Sequence, residues 1–242
     1  MRSFSGLLAV TFCLTVCAAA RQDPLKTCRQ IILVTTDSWS SPNGTMWMFE
    51  RAMLDSNWQR RGSTIPVVVG RAGLAWGRGL IDTSSFQGPI KKEADDKAPA
   101  GIFRLGSVFG WLVTTKMPFT IVSPNSVCID DSGSRYYNEL IDKSVMADLR
   151  DWHHAEPLYG VNVYKVGIIV EHNVPPQPGS GSCIFLHVWK NPATPTSGCT
   201  AMSEHELRRV IRWLDPALAP LLVQLPRPVY EQLRDRWRLP KL

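Results

Sequence analysis

Beyond its first twenty residues, the sequence lacks an apolar run long enough to span a bilayer, so we expect no transmembrane segment there. It also lacks blocks of consecutive lysine and arginine and the aromatic motifs of RNA-binding domains, although its formal net charge is +6. A nucleic-acid partner is therefore not expected. Internal repeats and low-complexity tracts are absent too. The 242 residues, 44% of them hydrophobic, suffice for one domain with a substantial core.

The first twenty residues have the pattern of a secretory signal peptide. Arg2 precedes an apolar stretch at residues 7–16, and alanines at residues 18–20 provide the small side chains that signal peptidase requires. A lipoprotein would use Cys17 instead, but Val16 before it is larger than the residues favoured at lipid-attachment sites. We therefore expect an exported protein whose mature part is a single, monomeric domain at residues 21–242.

Most of the remaining chain has the pattern of β-strands. Short apolar segments separated by Gly, Pro and Asn predict strands at 30–36, 46–51, 65–70, 101–106, 118–122, 161–170, 183–189 and 220–225. The Asn43-Gly44 pair predicts the hairpin turn between the first two strands. This pattern predicts a mainly β fold, a sandwich or an open barrel, with few helices.

One or two short helices are expected near the carboxyl end. Ser203 and Glu206 form a capping box, and Asp215 and Pro216 end the segment that follows. Its apolar residues recur at helical spacing: Leu207, Val210, Ile211 and Leu214. A second short helix is predicted within 229–239.

Cys199 follows a strand that contains His187, and it lies in a turn of small residues formed by Ser197, Gly198 and Thr200. An imidazole within hydrogen-bond distance can take the proton of a thiol and leave a nucleophilic thiolate. Backbone N–H groups around Gly198 and Cys199 are candidates for holding an oxyanion. The alternative is structural: His187 bonded to a carbonyl at the end of a strand, and Cys199 a turn thiol or half of a disulfide.

Several motifs resemble the YkuD-type L,D-transpeptidase catalytic domain, in which a histidine is followed downstream by Ser-His-Gly-Cys. Here His187 precedes TSGCTAM at 196–202, and one branch of the family is similar in GSCIFLH, GCTAM and WLDP, at 181–187, 198–202 and 213–216. APAGIFRLG at 98–106 resembles the Pro-x-Gly-x-Phe strand of the family. Similar segments also occur at 67–80, 128–138 and 170–173, so the resemblance extends over residues 30–225.

This resemblance implies a mainly β domain that acts on peptidoglycan stem peptides, in the periplasm or cell envelope, without a metal or cofactor. Cys199 would attack the carbonyl of the third residue of a donor tetrapeptide and release D-alanine. His187 would act as the base, and an acceptor amine would resolve the thioester. The alternatives are a hydrolase of the same peptides that uses water, and a non-catalytic wall-binding protein.

The sequence departs from the wider family pattern on both sides of the cysteine. Ser197 stands where a histidine is usual, and Ala201 stands where an arginine is frequent. The donor carboxylate is therefore expected to be held by another basic residue, with Arg71, Arg78 and Arg135 as candidates. The expected substrate-binding residues are Ser197, Thr200, His172, Asn173 and Tyr137.

The resemblance also bears on the other cysteines. Cys128 and Cys183 both lie in family-like motifs, and Cys183 is on the strand that contains His187, so a disulfide between them would make the site more rigid. Cys28 is an alternative partner. Cys199 is expected to be free.

Overall fold

The computed structural model describes residues 25–111, 113–145 and 149–242, so the predicted signal peptide at residues 1–20 lies outside the described residues. The fold is mainly β with two α-helices. The strands are β1 (Gln30–Thr36), β2 (Asn43–Glu50), β3 (Gln59–Val68), β4 (Leu74–Trp76), β5 (Ala98–Gly110), β6 (Phe119–Ile121), β7 (Ser126–Cys128), β8 (Leu140–Asp142), β9 (Glu156–Pro157), β10 (Val166–Val170), β11 (Phe185–Val188), β12 (Thr200–Met202) and β13 (Leu221–Pro226). The helices are α1 (Glu204–Trp213) and α2 (Arg227–Leu233).

The large sheet closes on itself as a barrel. Its strand order is β10-β11-β12-β3-β2-β1-β13-β5-β4, with β6 beside β5. Because β10 also pairs with β5, the eight strands from β10 to β5 in this order form a closed ring. Closure leaves those strands without a free edge in the sheet, and it gives the barrel a rigid rim on which loops can hold a site.

The two helices pack mainly on different strands of the barrel. Every residue of β1 is buried, because one face lines the core and α2 packs beside β1 and β13 on the outside. Helix α1 packs on β10 and β11 through its apolar face. Its first turn is capped as predicted: the Ser203 side chain accepts a hydrogen bond from the Glu206 N–H. No helix among the described residues has the length and apolar character needed to cross a bilayer.

A second, three-stranded sheet lies outside the barrel, in the order β8-β7-β9. It is attached covalently, because Cys128 at the end of β7 forms a disulfide with Cys183, just before β11. Its inner residues Val127, Ile129 and Trp152 form a small core of their own. The small sheet and the barrel together enclose the cavity described below.

The predicted turn at Asn43 and Gly44 was wrong. Both residues belong to β2, Gly44 pairs with Thr36, and the chain reverses within residues 37–42. Glycine at this position allows β1 and β2 to approach closely, because a Cβ at Gly44 would lie 2.7 Å from the Thr35 carbonyl oxygen.

Two other predicted elements are shorter or shifted. The strand predicted at 161–170 begins only at Val166, because Asn162–Tyr164 form a 3-10 turn that buries the Tyr164 ring against Phe185. The second helix spans Arg227–Leu233 instead of lying within 229–239. Pro228 fits its first turn, where the N–H that proline lacks would have no partner within the helix.

Candidate active site

Strand pairing brings Cys199 beside the strand that contains His187. Strands β11 and β12 run parallel, with Leu186 opposite Thr200 and His187 opposite Ala201. Cys199 directly precedes β12, and its sulfur accepts a hydrogen bond from the Phe185 N–H at 3.3 Å. The loop between the strands thus returns the cysteine to a place beside Phe185, two residues before His187 on the neighbouring strand.

The Cys199 thiol is buried and protonated in this arrangement. Its Sγ donates a hydrogen bond to the Cys183 carbonyl oxygen at 3.4 Å. Burial raises the pKa of the thiol to about 12, and the nearby Glu156 carboxylate also raises it. The resting thiol is therefore neutral, and forming the thiolate requires a change in its surroundings.

His187 is held as a neutral imidazole with one defined tautomer. Its Nδ1 lies 2.8 Å from the Val188 carbonyl oxygen, which can only accept a hydrogen bond, so Nδ1 carries the proton. The lone pair is then on Nε2, the nitrogen that can act as a base. Burial lowers the pKa of His187 to about 4, and the Tyr164 ring packs edge-on against the imidazole at 5.2 Å.

Both side chains line one cavity of about 960 Å³. The cavity lies between the rim of the barrel and the small sheet, and its lining also includes Cys183, Ser197 and Gly198. A cavity of this size is large enough for a peptide substrate group beside the thiol.

The Gly198 N–H, predicted as a donor to an oxyanion, already has a partner within the protein. It donates a hydrogen bond to the Thr196 hydroxyl at 3.1 Å, so this N–H is not available to an oxyanion unless that bond breaks. A Cβ here would lie 3.2 Å from the Lys97 carbonyl oxygen, so a larger residue would require a small shift of the neighbouring backbone.

Among the predicted carboxylate-binding arginines, Arg71 lines the cavity and Arg78 and Arg135 do not. The Arg71 guanidinium donates a hydrogen bond to the Ser197 hydroxyl at 3.0 Å and forms an ion pair with Asp96 at 3.4 Å, and its side chain is 61% exposed. Arg78 instead contacts Gln177, and Arg135 forms an ion pair with Asp151. Ser197, which stands where the family usually has a histidine, therefore helps to orient Arg71 in the cavity wall.

The other predicted substrate-binding residues lie in the protein interior and do not line the cavity. His172, Asn173 and Tyr137 are exposed by 1%, 0% and 2%, and the Thr200 hydroxyl donates a hydrogen bond to Gln224 in the core. In this structure their side chains contact other protein groups: the Tyr137 hydroxyl donates a hydrogen bond to the Glu93 carboxylate, for example. Their role in substrate binding stays a prediction.

Three of these residues hold the loop before β11. His172 Nε2 bonds the Ser180 carbonyl at 2.9 Å, and the Asn173 amide donates to the carbonyls of Gln177 and Gly181. The Tyr137 hydroxyl accepts the Gly181 N–H. They fix the path of the chain into Cys183 and so support the site indirectly.

The structure also places acidic residues in the cavity that sequence reasoning missed. Its acidic lining residues are Glu93, Asp96, Asp130 and Glu156, and Tyr164 lies beside them. Asp130 lies inside the family-like segment 128–138, which was a usable signal, whereas nothing in the local sequence marks Glu156 as a cavity residue.

The disulfide predicted between Cys128 and Cys183 is present, and Cys28 is not its partner. Cys28 and Cys199 are free and buried, and the Cys28 thiol donates to the Gln30 carbonyl. In the part of the chain that the structure describes, no three His, Cys, Asp or Glu side chains come together as metal ligands would.

A comparison with family profiles identifies one family. The profile of the YkuD family, described as the L,D-transpeptidase catalytic domain, matches residues 46–224. Among solved structures, the helical cell shape determining protein Pgp2 from Campylobacter jejuni is similar at 13% sequence identity, with a TM-score of 0.36. That match covers 82% of this chain and 48% of that chain, so this chain spans about half the length of that protein. No curated protein matches the chain.

Proposed function

The chain belongs to the YkuD family of L,D-transpeptidase catalytic domains, and we propose that it is a cysteine-dependent L,D-transpeptidase of peptidoglycan stem peptides. The observation that carries the proposal is the pairing of a free thiol, Cys199, with a neutral imidazole, His187, in one cavity. The hydrogen bond of His187 Nδ1 to the Val188 carbonyl leaves Nε2 as the base.

In the proposed first step, His187 Nε2 takes the thiol proton and the Cys199 sulfur attacks the carbonyl carbon of the third residue of a donor tetrapeptide. A tetrahedral intermediate forms and collapses. The bond to the terminal D-alanine breaks, and its nitrogen receives the proton from the imidazolium. The products of this step are a thioester on Cys199 and free D-alanine.

In the proposed second step, the amine of an acceptor attacks the thioester carbonyl. His187 removes a proton from this amine and returns one to the departing sulfur, so the Cys199 thiol and the neutral imidazole are restored. The acceptor is a neighbouring stem peptide or a free D-amino acid. Water in place of the amine would give the hydrolase, which shares the first step and differs only in the second.

The resting pKa values define what substrate binding must accomplish. The thiol pKa of about 12 lies far above the imidazole pKa of about 4, so proton transfer between them is unfavourable in the resting site. A bound substrate that opposes the field of Glu156, or that strengthens hydrogen bonds to the sulfur, would bring the two pKa values closer. The neutral resting pair also protects the thiol from oxidation, because the thiolate is the reactive form.

The test is incubation of the mature protein with disaccharide tetrapeptide, followed by mass spectrometry of the products. Release of D-alanine with a cross-linked dimer or an exchanged D-amino acid supports the transpeptidase, and tripeptide alone supports the hydrolase. Cys199→Ala should abolish every product. His187→Ala should slow acylation by roughly 10²–10⁴-fold, the contribution of a general base.

Cys28→Ala is the matched control, because Cys28 is the other buried free thiol and lies outside the cavity lining. It should retain activity. A carbapenem, which resembles the acyl donor of this family, should add its mass to wild-type protein and to Cys28→Ala but not to Cys199→Ala. Activity that survives in Cys199→Ala, or wild-type protein that neither releases D-alanine nor becomes acylated, would replace the catalytic proposal with the wall-binding alternative.

We further propose that residues 1–20 direct export to the periplasm or cell envelope, where the wall substrate lies. The supporting feature is the apolar stretch between Arg2 and the alanines at residues 18–20. Amino-terminal sequencing of the protein from the cell envelope should begin at or near Arg21. Retention of Met1 on a cytoplasmic protein would refute export.

A further inference from the structure

The hairpin that joins β2 and β3 exposes apolar side chains at its tip. The tip comprises residues 51–58, and Met53 and Leu54 within it are 65% and 47% exposed. The first six residues of β3, which follow the tip, are exposed on both faces, so this end of the hairpin extends into solvent. Exposed apolar residues that occur singly are ordinary, but these two are adjacent and project from the fold, which is typical of a surface that contacts a partner.

Basic residues surround this tip. Arg60 and Arg61 follow it on β3, and both are exposed. On the other side of the tip, the Arg51 side chain donates hydrogen bonds to two backbone carbonyl groups of residues 25–28, at 2.9 Å and 2.6 Å. These bonds hold that segment, with its exposed Lys26, against the base of the tip.

The tip face, defined as residues 25–29 and 50–61, has a net positive charge. It contains five basic side chains and two acidic ones. Of the acidic side chains, Glu50 is paired with Arg61 at 3.1 Å, and Asp55 lies in the tip itself. Acidic residues on the segments that contact this face are each paired with a basic residue of their own: Glu206 with Arg209, Asp215 with Lys116 and Asp235 with Arg234. An anionic surface therefore complements the tip face.

The tip face lies at the end of the hairpin that is away from the cavity. Beside the tip, Glu50 pairs with Gln59, and the other end of the hairpin is at Val68. Val68 also pairs with Ala201, two residues after Cys199. The eight residues of β2 span the distance between these ends, which is roughly 23 Å at the rise of a β-strand. A partner on the tip face therefore leaves the cavity open.

The amino-terminal export segment leads to the same face. The predicted signal peptide ends at Ala20, and the carbonyl of Leu25, the first residue that the structure describes, is bonded to Arg51 in the tip. The chain between Ala20 and Leu25 can extend at most roughly 18 Å. An apolar signal segment occupies the cytoplasmic membrane during export, so the tip face emerges within that reach of the outer surface of this membrane.

We propose that the tip face docks on the anionic phospholipid surface of the cytoplasmic membrane. Met53 and Leu54 insert among the lipid headgroups, and Lys26 and Arg60 contact the phosphates. The inference goes beyond the proposed function and takes from it only the export that brings the protein to this membrane. Docking keeps the domain at the membrane and directs the Cys199 cavity away from it, toward the wall.

The first experiment measures binding to vesicles, so it does not depend on turnover. Protein that begins at Arg21 is sedimented with vesicles of phosphatidylglycerol and phosphatidylcholine in equal parts, and with vesicles of phosphatidylcholine alone. It should bind the anionic vesicles more tightly by roughly tenfold or more, because each basic residue at an anionic surface contributes about fivefold. Added salt should weaken this binding, since it screens the charges.

Paired substitutions separate the tip face from basic residues elsewhere. Lys26→Gln with Arg60→Gln should weaken binding to the anionic vesicles by roughly tenfold or more, through the loss of two contacts to phosphates. Lys143→Gln with Arg150→Gln removes the same charge from exposed positions near the small sheet. This matched control should bind nearly as tightly as wild-type protein.

A second pair of substitutions tests the apolar contact at constant charge. Met53→Ser with Leu54→Ser should weaken binding severalfold, because the apolar area that enters the headgroup region is lost. Ile121→Ser with Val145→Ser changes two side chains outside the tip face that are 70% and 76% exposed. This control should bind like wild-type protein.

An environment-sensitive fluorophore locates the contact directly. It is attached to Leu54→Cys or to Val145→Cys in Cys199→Ala protein, in which the remaining free thiol, Cys28, is buried. Anionic vesicles should shift the emission of the label at position 54 to shorter wavelength and protect it from quenching by iodide. The label at position 145 should show neither effect.

Equal binding by wild-type protein and both tip-face variants would overturn the inference, as would a lack of preference for anionic vesicles. Self-association that Met53→Ser with Leu54→Ser abolishes, without vesicle binding, would make a second copy the partner and would also overturn it. Every variant that retains Cys199 should react with a carbapenem at the wild-type rate, because the tip face is remote from the cavity. Acylation therefore tests the proposed function separately from docking.

Discussion

The thiol of Cys199 donates its hydrogen bond to the carbonyl oxygen of Cys183, and the sulfur of Cys183 is bonded to Cys128. The disulfide therefore fixes the acceptor that holds the nucleophile in its resting position. Cys183 has a φ of 55°, and its N–H donates to the Asn138 side chain, so the path of this residue is fixed from both ends.

Loss of the disulfide should reduce both stability and acylation. Opening a bridge with a sequence separation of 55 should lower the free energy of unfolding by about 2–5 kcal/mol, and it should release the Cys183 carbonyl from its place beside the thiol. Urea unfolding and carbapenem acylation of wild-type protein, with and without dithiothreitol, measure both effects. Cys128→Ser is the control: it should behave like the reduced protein and show no further response to the reductant.

His187 should be neutral and protonated on Nδ1 down to about pH 4. The reason is its burial together with the hydrogen bond of Nδ1 to the Val188 carbonyl. Two-bond proton–nitrogen NMR correlations report the tautomer and its titration. His172 is an internal comparison, because its bond to the Ser180 carbonyl places the proton on Nε2 and burial lowers its pKa to about 4 as well.

Acylation should be lost at low pH, because only the neutral form of His187 can act as a base. An imidazole accepts a proton only when it is unprotonated, so base catalysis by His187 should persist above about pH 4 and be lost as the pH falls through that value. A titration midpoint near the ordinary value of 6.5 would contradict the buried geometry of His187.

Glu156→Gln should make Cys199 more reactive in the absence of substrate. The glutamine removes a negative charge that raises the pKa of the thiol, so the thiolate fraction at a given pH increases. Iodoacetamide labelling at pH 8, followed by peptide mapping of Cys199 and Cys28, should show severalfold faster alkylation of Cys199 alone. Unchanged alkylation of Cys199 would mean that Glu156 does not act on the thiol.

Arg71→Ala should raise KM for the donor more than it lowers kcat. Arg71 lies in the cavity wall and bonds Ser197, where it can hold a substrate carboxylate in the ground state and the transition state alike. We expect a change on the order of tenfold in KM, from steady-state release of D-alanine. Arg78→Ala and Arg135→Ala are matched controls outside the cavity lining. An equal rise in KM in either variant would contradict binding of the donor carboxylate by Arg71.

Family and fold class were predictable from the sequence because they depend on local pattern. The resemblance to the YkuD family and the mainly β fold with two helices are confirmed. The strand at Gln30–Thr36 and the Ser203 cap also lie where the sequence predicts them, since strand alternation and capping involve residues close together in the chain. The catalytic roles of Cys199 and His187 remain predictions.

The tertiary structure decided which side chains share the cavity. Long-range packing decides where the polar side chains lie. His172 and Asn173 turn inward and bond a buried loop. Glu156, which has no local signature, shares the cavity with the thiol because β9 pairs with β7. The parallel register of β11 and β12 and the disulfide at Cys128 complete the site. A sequence specifies which chemical groups are present, but the distances between them depend on pairing among segments far apart in the chain. Burial and hydrogen bonding in the folded protein then determine which polar atoms remain free for a substrate.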